Sequence, residues 1–538
     1  MTTNMQKTLV VLAVGAMFTA SGAAMAVTNL TWDASGTNPT APTDGSGTWN
    51  ATAANWSNGT ADGVWVNNDA AVIGSDNGTA GTISLGSNQD VSALTVNDGS
   101  SGSYYTLSDG LAGGSPVQLN VTTSGPGGGA SLNLSGSLTI SAGVTLSDET
   151  SPWDTILFPN TTTTVDAGAT FNAGFYSQIR GTLNVSGTAT NTGEWLVSFG
   201  GGPGAININQ GGVVESFQTR IGTNSSPTTV NVNSGGTLAA SYIHSAAGTV
   251  NSTTDFLKVD GGTLENGPYT TPGNNVSYSS QAAWITNQVT VQIMAGGATI
   301  NDSGQFGTQV GTNYNLLVAA PIVSGVTSGT DGGLTVTGGG TVTLANTNTY
   351  TGPTTIQSGT LALGTYTYTY PSGGTSVTQT GSIAGSSSVI IDSGGTLDIS
   401  QSGLAQTVLK SLNDAGGTIT FGMNGNQVSN ILVNTASSIS GTNTINLYGV
   451  DGATAFSYGT YNLIADAAGG LTGNFVFGNG TDTAHATLGS NSYLLTLSNS
   501  KTAEMLTVSA VPEPAALGLF AIGGMGLVLI GRRRKARA

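Results

Sequence analysis

A short phrase of two glycines, a threonine and an apolar residue recurs along the middle of the chain and constrains its fold more than any other feature. Its clear copies are Ser234–Leu238, Asp260–Leu264, Ser393–Leu397 and Asp414–Ile419, and looser copies are Asp166–Phe171, Ala295–Ile300 and Ser358–Leu361. Gly235 and Gly261 are 26 residues apart, and Gly394 and Gly416 are 22 residues apart. Repeats of about 20 to 50 residues are typical of solenoids, in which each repeat stacks on the one before it.

The segments between the glycines alternate between apolar and polar residues. Ala205–Asn209 and Thr229–Asn233 place isoleucine or valine at every second position, with asparagine or threonine beside them. Because this pattern repeats every two residues, one face of each strand is apolar and faces inward. Glycine at the corners permits the sharp turns between strands. The pattern predicts an all-β chain folded as a single-stranded, right-handed parallel β-helix, with turns stacked at about 4.8 Å.

Composition supports this fold and excludes several kinds of chemistry. Only 7 % of the residues are charged, against about 25 % in typical domains. Such a chain must pair its backbone polar groups in ordered ladders, which favours β structure over helix. Cysteine is absent, and the only histidines are His244 and His485. Disulfides and thiolate sites are therefore excluded, and a histidine-based catalytic or zinc centre is not expected.

Charge is distributed unevenly along the chain. Residues 27–510 hold 5 basic residues against 26 acidic ones, and the basic ones are Arg180, Arg220, Lys258, Lys410 and Lys501. Nucleic acid and anionic lipid both require a positive patch, so neither is an expected partner of this part. The sequence also lacks the glycine- and aspartate-rich calcium repeat and the EF-hand loop, so we expect no dedicated metal site and no cofactor.

The N-terminal 26 residues have the order of a secretory signal peptide. Lys7 precedes an apolar run from Leu9 to Phe18, and Ala24 and Ala26 form a small-x-small cleavage site. This order predicts cleavage by signal peptidase after export through the general secretion machinery, with a mature chain that begins near Val27. The alternative is an uncleaved anchor helix, for which the apolar run is short.

The C-terminal segment 511–538 is a second composite signal. It begins with the Pro-Glu-Pro motif of Pro512, Glu513 and Pro514, followed by 17 uncharged residues from Ala515 to Gly531. The basic tail consists of Arg532, Arg533, Arg534, Lys535 and Arg537. The uncharged stretch would cover about 26 Å as a helix, close to the lower limit for a single membrane span, and the tail would keep the C-terminus cytoplasmic.

This order of motif, apolar helix and arginines closely resembles the PEP-CTERM sorting signal of Gram-negative bacteria. The resemblance implies that an exosortase-type enzyme recognises Pro512–Pro514 and processes the chain from a transient inner-membrane intermediate. It also implies a cell-surface or extracellular-matrix destination in a bacterium that makes an exopolysaccharide. A plain tail anchor is the alternative interpretation of the same residues.

Residues 338–364 resemble the autotransporter-associated β-strand repeat. They contain a glycine-threonine strand, Asn348-Thr-Tyr-Thr-Gly352, a threonine-rich strand and Gly359-Thr-Leu361. Tyr461–Ile464 and Gly469–Phe475 are similar to the terminal part of autotransporter passengers. The resemblance implies a passenger-like β-helix. Directly after this repeat, the alternation of threonine and tyrosine in Thr365–Pro371 predicts a hairpin that extends from the β-helix.

Four tryptophans, Trp32, Trp49, Trp56 and Trp65, lie close together near the N-terminus. Exposed indole rings would stack on sugars, whereas buried rings would cover the open end of a β-helix, and we expect the second. The predicted segments are a signal peptide (1–26), a Trp-rich cap (27–80), a parallel β-helix (80–440), a terminal β region (441–510) and the sorting segment (511–538).

The densest acidic run contains Asp148, Glu149, Asp154 and Asp166, with Arg180 and Arg220 expected on neighbouring turns. Converging carboxylates could hydrolyse or eliminate polysaccharide, but acids beside corner glycines are expected to be solvated turn residues with ordinary pKa values. We therefore expect a non-enzymatic surface or matrix protein associated with exopolysaccharide and biofilm. A β-helix polysaccharide hydrolase or lyase, and an adhesin, are the alternatives.

Overall fold

The computed structural model describes residues 28–97, 104–111, 116–122, 132–148, 155–198, 202–222, 228–245, 255–267, 283–303, 315–369 and 376–511. Their regular structure consists of β-strands, joined by turns, and no helix occurs among them. Accordingly, no helix in these ranges could span a membrane. The chain divides into two compact units, Met1–Asn191 and Thr192–Ala538.

Unit 1 contains short strands, most of them three to five residues long. They are β1 (Asn29–Trp32), β2 (Gly47–Trp49), β3 (Trp56–Ser57), β4 (Asp62–Gly63), β5 (Ala70–Ile73), β6 (Thr82–Leu85), β7 (Gln89–Val91), β8 (Ala93–Val96), β9 (Tyr105–Asp109), β10 (Val117–Val121), β11 (Leu132–Leu134), β12 (Leu138–Ile140), β13 (Val144–Asp148), β14 (Thr155–Leu157), β15 (Thr162–Val165), β16 (Thr170–Ala173), β17 (Tyr176–Ile179), β18 (Thr182–Val185) and β19 (Thr188–Val197), whose last residues belong to unit 2.

These strands form three parallel stacks. From β5 to β16 each strand pairs with the strand three elements later, so that one turn of the chain contributes one strand to each stack. The stacks are β1-β5-β8-β11-β14-β17, β2-β6-β9-β12-β15-β18 and β7-β10-β13-β16-β19. The first stack also carries the short antiparallel pairs β1–β3 and β3–β4. The predicted parallel solenoid is confirmed.

Unit 2 continues the same kind of coil with longer strands toward its end. They are β20 (Ala205–Ile208), β21 (Val213–Ile221), β22 (Thr228–Asn233), β23 (Thr237–Ser245), β24 (Asp255–Asp260), β25 (Gly262–Asn266), β26 (Thr290–Ile293), β27 (Ala298–Asn301), β28 (Asn315–Val318), β29 (Ile322–Ser324), β30 (Leu334–Thr337), β31 (Thr341–Leu344), β32 (Thr354–Ile356), β33 (Gly359–Leu363), β34 (Thr365–Thr369), β35 (Ser376–Thr380), β36 (Val389–Ile391), β37 (Gly395–Asp398), β38 (Gln406–Ala415), β39 (Thr418–Asn424), β40 (Gln427–Val428), β41 (Asn430–Ser440), β42 (Thr442–Gly449), β43 (Gly459–Asp466), β44 (Asn474–Phe477), β45 (Thr483–Leu488), β46 (Asn491–Ser500) and β47 (Ala503–Ala510).

Parallel pairing runs through unit 2 as far as β44. Its stacks are β20-β22-β24-β26-β29, β21-β23-β25-β27-β30-β32-β36-β38-β41-β43 and β28-β31-β33-β37-β39-β42-β44. After β44 the pairing changes, because β43, β47, β46 and β45 form an antiparallel sheet. The strands β34 and β35 form a separate antiparallel hairpin, as predicted for residues 365–371.

The repeated phrase has a direct structural meaning. Its apolar residue points inward and lies in register with its counterparts on the next turns: Leu238, Leu264, Ile300, Val336, Ile356 and Ile391. Each of these side chains is buried. The preceding threonines lie in a partly exposed outward row: Thr237, Thr263, Thr299, Thr335 and Thr355. Cross-strand threonine pairs and continuous apolar stacking both stabilise such a sheet.

The glycines of the phrase also stack from turn to turn. Gly261 has a φ of 81°, which favours glycine, and its N–H donates to the carbonyl of Gly297 at 2.7 Å. A Cβ on the following Gly262 would lie 2.6 Å from the carbonyl oxygen of Val232. The glycine pair therefore provides both the turn and the close approach of successive coils.

Candidate functional site

The acidic run singled out from the sequence does not form a common site among the described residues. Asp148 is fully buried at the end of β13, where the hydroxyl of Thr155 donates to it at 3.1 Å. Asp166 lies in the corner before β16. Because Thr145 pairs with Thr170, Asp148 lies at the C-terminal end of the β13–β16 pair, whereas Asp166 lies before its N-terminal end. Glu149 and Asp154 lie outside the described residues.

Many of the described acids instead accept hydrogen bonds from the backbone of a corner. Asp331, which is buried, accepts from the N–H groups of Gly333, Thr351 and Gly352 at 2.6–3.0 Å. Burial alone would raise the pKa of Asp331, but these bonds outweigh it and hold the pKa below its ordinary value. The fold fixes the position of such a carboxylate, and backbone hydrogen bonds occupy its oxygens.

Asp466 repeats this arrangement on another turn. It is fully buried and accepts from the N–H groups of Ala468 and Gly470 and from the N–H and hydroxyl of Ser437. Burial opposes ionisation, and the bonds again dominate, so the pKa of Asp466 is lowered. The expectation that corner acids are well solvated is therefore wrong for Asp331 and Asp466, because their carboxylates fold back onto the glycine-rich backbone.

Two other buried acids have raised pKa values. Burial raises the pKa of Asp414 to about 6 although Gly417 N–H donates to it at 2.8 Å. Burial raises the pKa of Glu504 to about 8, and neither carboxyl oxygen has a hydrogen-bond partner in the described structure. The expectation that acids beside corner glycines keep ordinary pKa values is therefore wrong for Asp414.

The main cluster of unlike charges among the described residues lies on the outward face of β19, β21 and β23. The Arg220 Nε atom lies 2.6 Å from Oε1 of Glu194, and the His244 Nε2 atom lies 3.6 Å from the same oxygen. Gln218 Oε1 is 3.2 Å from His244 Nε2, and the Tyr242 ring stacks on the imidazole at 4.6 Å between centroids. We call Glu194, Arg220 and His244 the charged row.

Register explains how the charged row forms. Arg220 is paired with His244 across β21 and β23, and Gln218 is paired with Tyr242. In each pair the two outward side chains are 24 positions apart in the sequence, and this distance corresponds to one turn of the coil. Sequence analysis expected Arg220 beside the acidic run, whereas its acid partner is Glu194. The 24-residue spacing could have indicated the Arg220–His244 pair, but not its contact with Glu194.

Chemically, the charged row joins an imidazole, a guanidinium and a carboxylate, the residue types of acid–base catalysis. Arg180, expected on a turn next to the acidic run, follows β17, which pairs with β14, and its guanidinium donates to Gln178 at 2.5 Å. Within the described ranges, no group of three acids or histidines could hold a metal ion.

The four N-terminal tryptophans are buried, with exposed fractions of 0–3 %. Trp56 contacts Trp32 at 5.4 Å, Trp49 at 4.6 Å and Trp65 at 4.7 Å between ring centroids. Trp32 also donates to the carbonyl of Gly45 at 3.1 Å. Because their faces are covered by one another, these indoles do not form a sugar-stacking platform.

The asparagine of the Asn348-Thr-Tyr-Thr-Gly352 segment connects adjacent turns through hydrogen bonds. Asn348 is buried, accepts from the N–H of Ile322 at 2.9 Å and donates to the carbonyls of Asn346 and Ser382 at 3.0 Å. Tyr350 is fully buried, and its hydroxyl lies 2.6 Å from that of Thr354. This segment therefore uses its polar side chains for packing between coils.

The targeting residues lie outside the described part of the chain. They are the cleavage residues Ala24 and Ala26, the motif Pro512, Glu513 and Pro514, and the basic tail Arg532, Arg533, Arg534, Lys535 and Arg537. The predicted C-terminal membrane helix lies there as well. These assignments stay predictions from the sequence, apart from what the comparisons below add.

Comparison with known families identifies two segments. The passenger-associated-transport-repeat matches residues 334–363, which run from β30 through β33. The PEP-CTERM protein-sorting motif matches residues 510–535. No curated protein is significantly similar to the chain. Both resemblances found in the sequence are confirmed. The chain is an exported, surface-directed protein that carries a PEP-CTERM motif for an exosortase-type sorting enzyme and a passenger-associated transport repeat within a parallel β-solenoid.

Proposed function

We propose that this chain is a non-enzymatic structural protein of the cell surface or extracellular matrix of a Gram-negative bacterium, associated with exopolysaccharide in a biofilm. The observation that carries the proposal is the attachment of a sorting motif to a long solenoid. A solenoid of this kind displays an extended surface built from repeated strands, which suits binding along a polymer better than enclosing a small substrate.

The state of the carboxylates supports the non-enzymatic role. Asp331 and Asp466 accept several backbone hydrogen bonds, and Asp148 and Asp166 lie beyond opposite ends of the β13–β16 pair. A hydrolase needs two carboxyl groups about 5–10 Å apart on either side of a sugar. Asp331 and Asp466 instead stabilise corners of the fold.

The strong negative charge sets the condition for polymer binding. Residues 27–510 carry 26 acidic and 5 basic residues. Like charges repel, so an acidic polysaccharide would bind only when a divalent cation bridges it to the protein. We propose that calcium supplies such bridges at exposed acids, without a dedicated site.

The test is incubation of the exported protein with the exopolysaccharide of the producing cell. We expect polymer length, measured by size-exclusion chromatography with light scattering, to stay unchanged, while bound polymer increases with added calcium. The charged row is the best catalytic candidate among the described residues. Depolymerisation that is lost in His244→Gln but kept in the exposed control Asp482→Asn would overturn the proposal in favour of an enzyme.

A further inference from the structure

The hairpin of β34 and β35 is separate from the larger sheets of unit 2. These two strands form a sheet of their own, with five residue pairs from Thr365–Thr380 to Thr369–Ser376. An antiparallel sheet of two strands has an outer edge on each strand. In the described structure no third strand lies beside either edge. Isolated hairpins are marginally stable in water, and they gain stability from further strands.

The hairpin lacks the features by which proteins usually protect a strand edge. Neither strand contains proline, lysine or any other charged residue. Threonine, tyrosine and valine, which favour strands, dominate both. Four of the five residues of β35 are exposed, including Val377 with 39 % of its surface accessible. The outer edge of β35 is thus open, extended and uncharged.

The sequence on either side of the hairpin is uncharged as well. From Gly332 to Ile391 the sequence contains no aspartate, glutamate, lysine, arginine or histidine. Elsewhere, acidic residues far outnumber basic ones, so two copies of the protein repel each other over most of their surface. The hairpin itself therefore adds no like-charge repulsion when two copies approach.

We propose that β35 pairs edge to edge with β35 of a second copy of this chain, so that two hairpins form one four-stranded antiparallel sheet. Antiparallel pairing of identical strands has two-fold symmetry, so the same edge satisfies the backbone N–H and C=O groups of both copies. A charged partner would gain no ion pair here. A second copy presents the same open edge and the same lack of charge.

The first test measures association of the exported protein by sedimentation equilibrium. We expect a dimer whose dissociation constant falls as NaCl is raised, because salt screens the repulsion between the acidic bodies. Val377→Lys should weaken the dimer at least tenfold. Val66→Lys, at an exposed valine in unit 1, is the matched control and should change it less than twofold. Each variant makes the protein less acidic, so electrostatics alone would strengthen association.

A second test does not depend on the charge variants. The chain has no cysteine. A single cysteine can therefore be introduced at position 377, 378 or 379, and a disulfide between two copies would show which residue lies opposite its own counterpart. Side chains of directly opposed residues in antiparallel strands are close enough for a disulfide. One of the three should form a covalent dimer on oxidation, reversed by reductant, whereas Val66→Cys should not.

Three results would overturn the proposal. The first is a wild-type protein that stays monomeric at all concentrations and salt levels. The second is an equal loss of association in Val377→Lys and Val66→Lys. The third is cross-linking at 377, 378 and 379 no stronger than at 66.

Discussion

The buried carboxyl groups of this protein differ in their hydrogen bonds and in the direction of their pKa shifts. Asp331 and Asp466 have lowered pKa values because backbone N–H groups surround them. Glu504 has no such partner and points to the same side of β47 as the buried Leu506 and Val508. An isolated buried carboxyl group is most stable in its neutral form, so Glu504 retains its proton near pH 7.

Glu504 should make stability fall as pH rises. Its pKa is raised from an ordinary value near 4.5 to about 8, so the folded state holds the proton more tightly than the unfolded state. The resulting stabilisation is complete below about pH 4.5 and is lost as pH rises through 8. Glu504→Gln should remove this dependence and be more stable than wild type at pH 9 by a few kcal/mol, at about 1.4 kcal/mol per unit of pKa shift.

Urea unfolding between pH 5 and pH 9, followed by far-UV circular dichroism, measures this effect. The matched control is Asp482→Asn, which removes one exposed charge from the same C-terminal region and should leave the pH profile unchanged. Parallel profiles for wild type and Glu504→Gln would show that Glu504 is ionised in the folded protein.

The inward row of the repeat provides a prediction about packing. Leu264 is 1 % exposed and lies between Leu238 and Ile300 on the adjacent turns. Leu264→Asp would place an unpaired charge in this row and should cost about 3–5 kcal/mol of unfolding free energy. Thr263→Asp, one residue earlier on the outward face, should cost less than about 1 kcal/mol in the same urea titration. Equal losses would contradict the inward and outward assignment.

At the scale of elements, the transport repeat joins successive coils through polar side chains. Asn348 alone bonds the backbone of three residues, Ile322, Asn346 and Ser382. Asn348→Ala would leave the Ile322 N–H and two carbonyls buried without their partners. We expect a loss of about 1–3 kcal/mol. Hydrogen exchange should detect this loss locally. Amide protection in β29 should be lower in the variant than in wild type, whereas protection in β12 of unit 1, the internal control, should be unchanged.

The elements themselves could be predicted because their signals are local. A period of two residues fixes which side chains point inward, and the glycine spacing fixes the length of a turn, so the Thr263–Leu264 arrangement follows from the sequence. The hairpin at 365–371 could be found for the same reason. The charged row could not, because Glu194 reaches Arg220 only through the register between turns of unequal length. Burial of Asp331 and Asp466 depends on corner conformation, which composition does not encode.

For the whole molecule, the sorting motif and the charge of the solenoid have to be considered together. The motif covers residues 510–535 and begins at Ala510, the last residue of β47. Processing at this point would release the solenoid without disturbing its strands. The acidic body would then remain soluble and separated from anionic surfaces, except where cations or the open hairpin edge bring it together with a partner.

Processing of both ends of the chain during export can be tested on the released protein. The protein recovered from the cell surface or medium should begin near Val27 and lack the apolar segment and the basic tail Arg532–Arg537, as intact-mass spectrometry would show. Replacing Pro512, Glu513 and Pro514 by alanine should leave the chain in the membrane fraction with its tail intact, because the exosortase-type enzyme would no longer recognise it. Asp482→Ala, an exposed substitution in the body, should be exported as wild type. Release of the alanine variant at the wild-type level, or an intact tail on the released protein, would exclude processing at this motif.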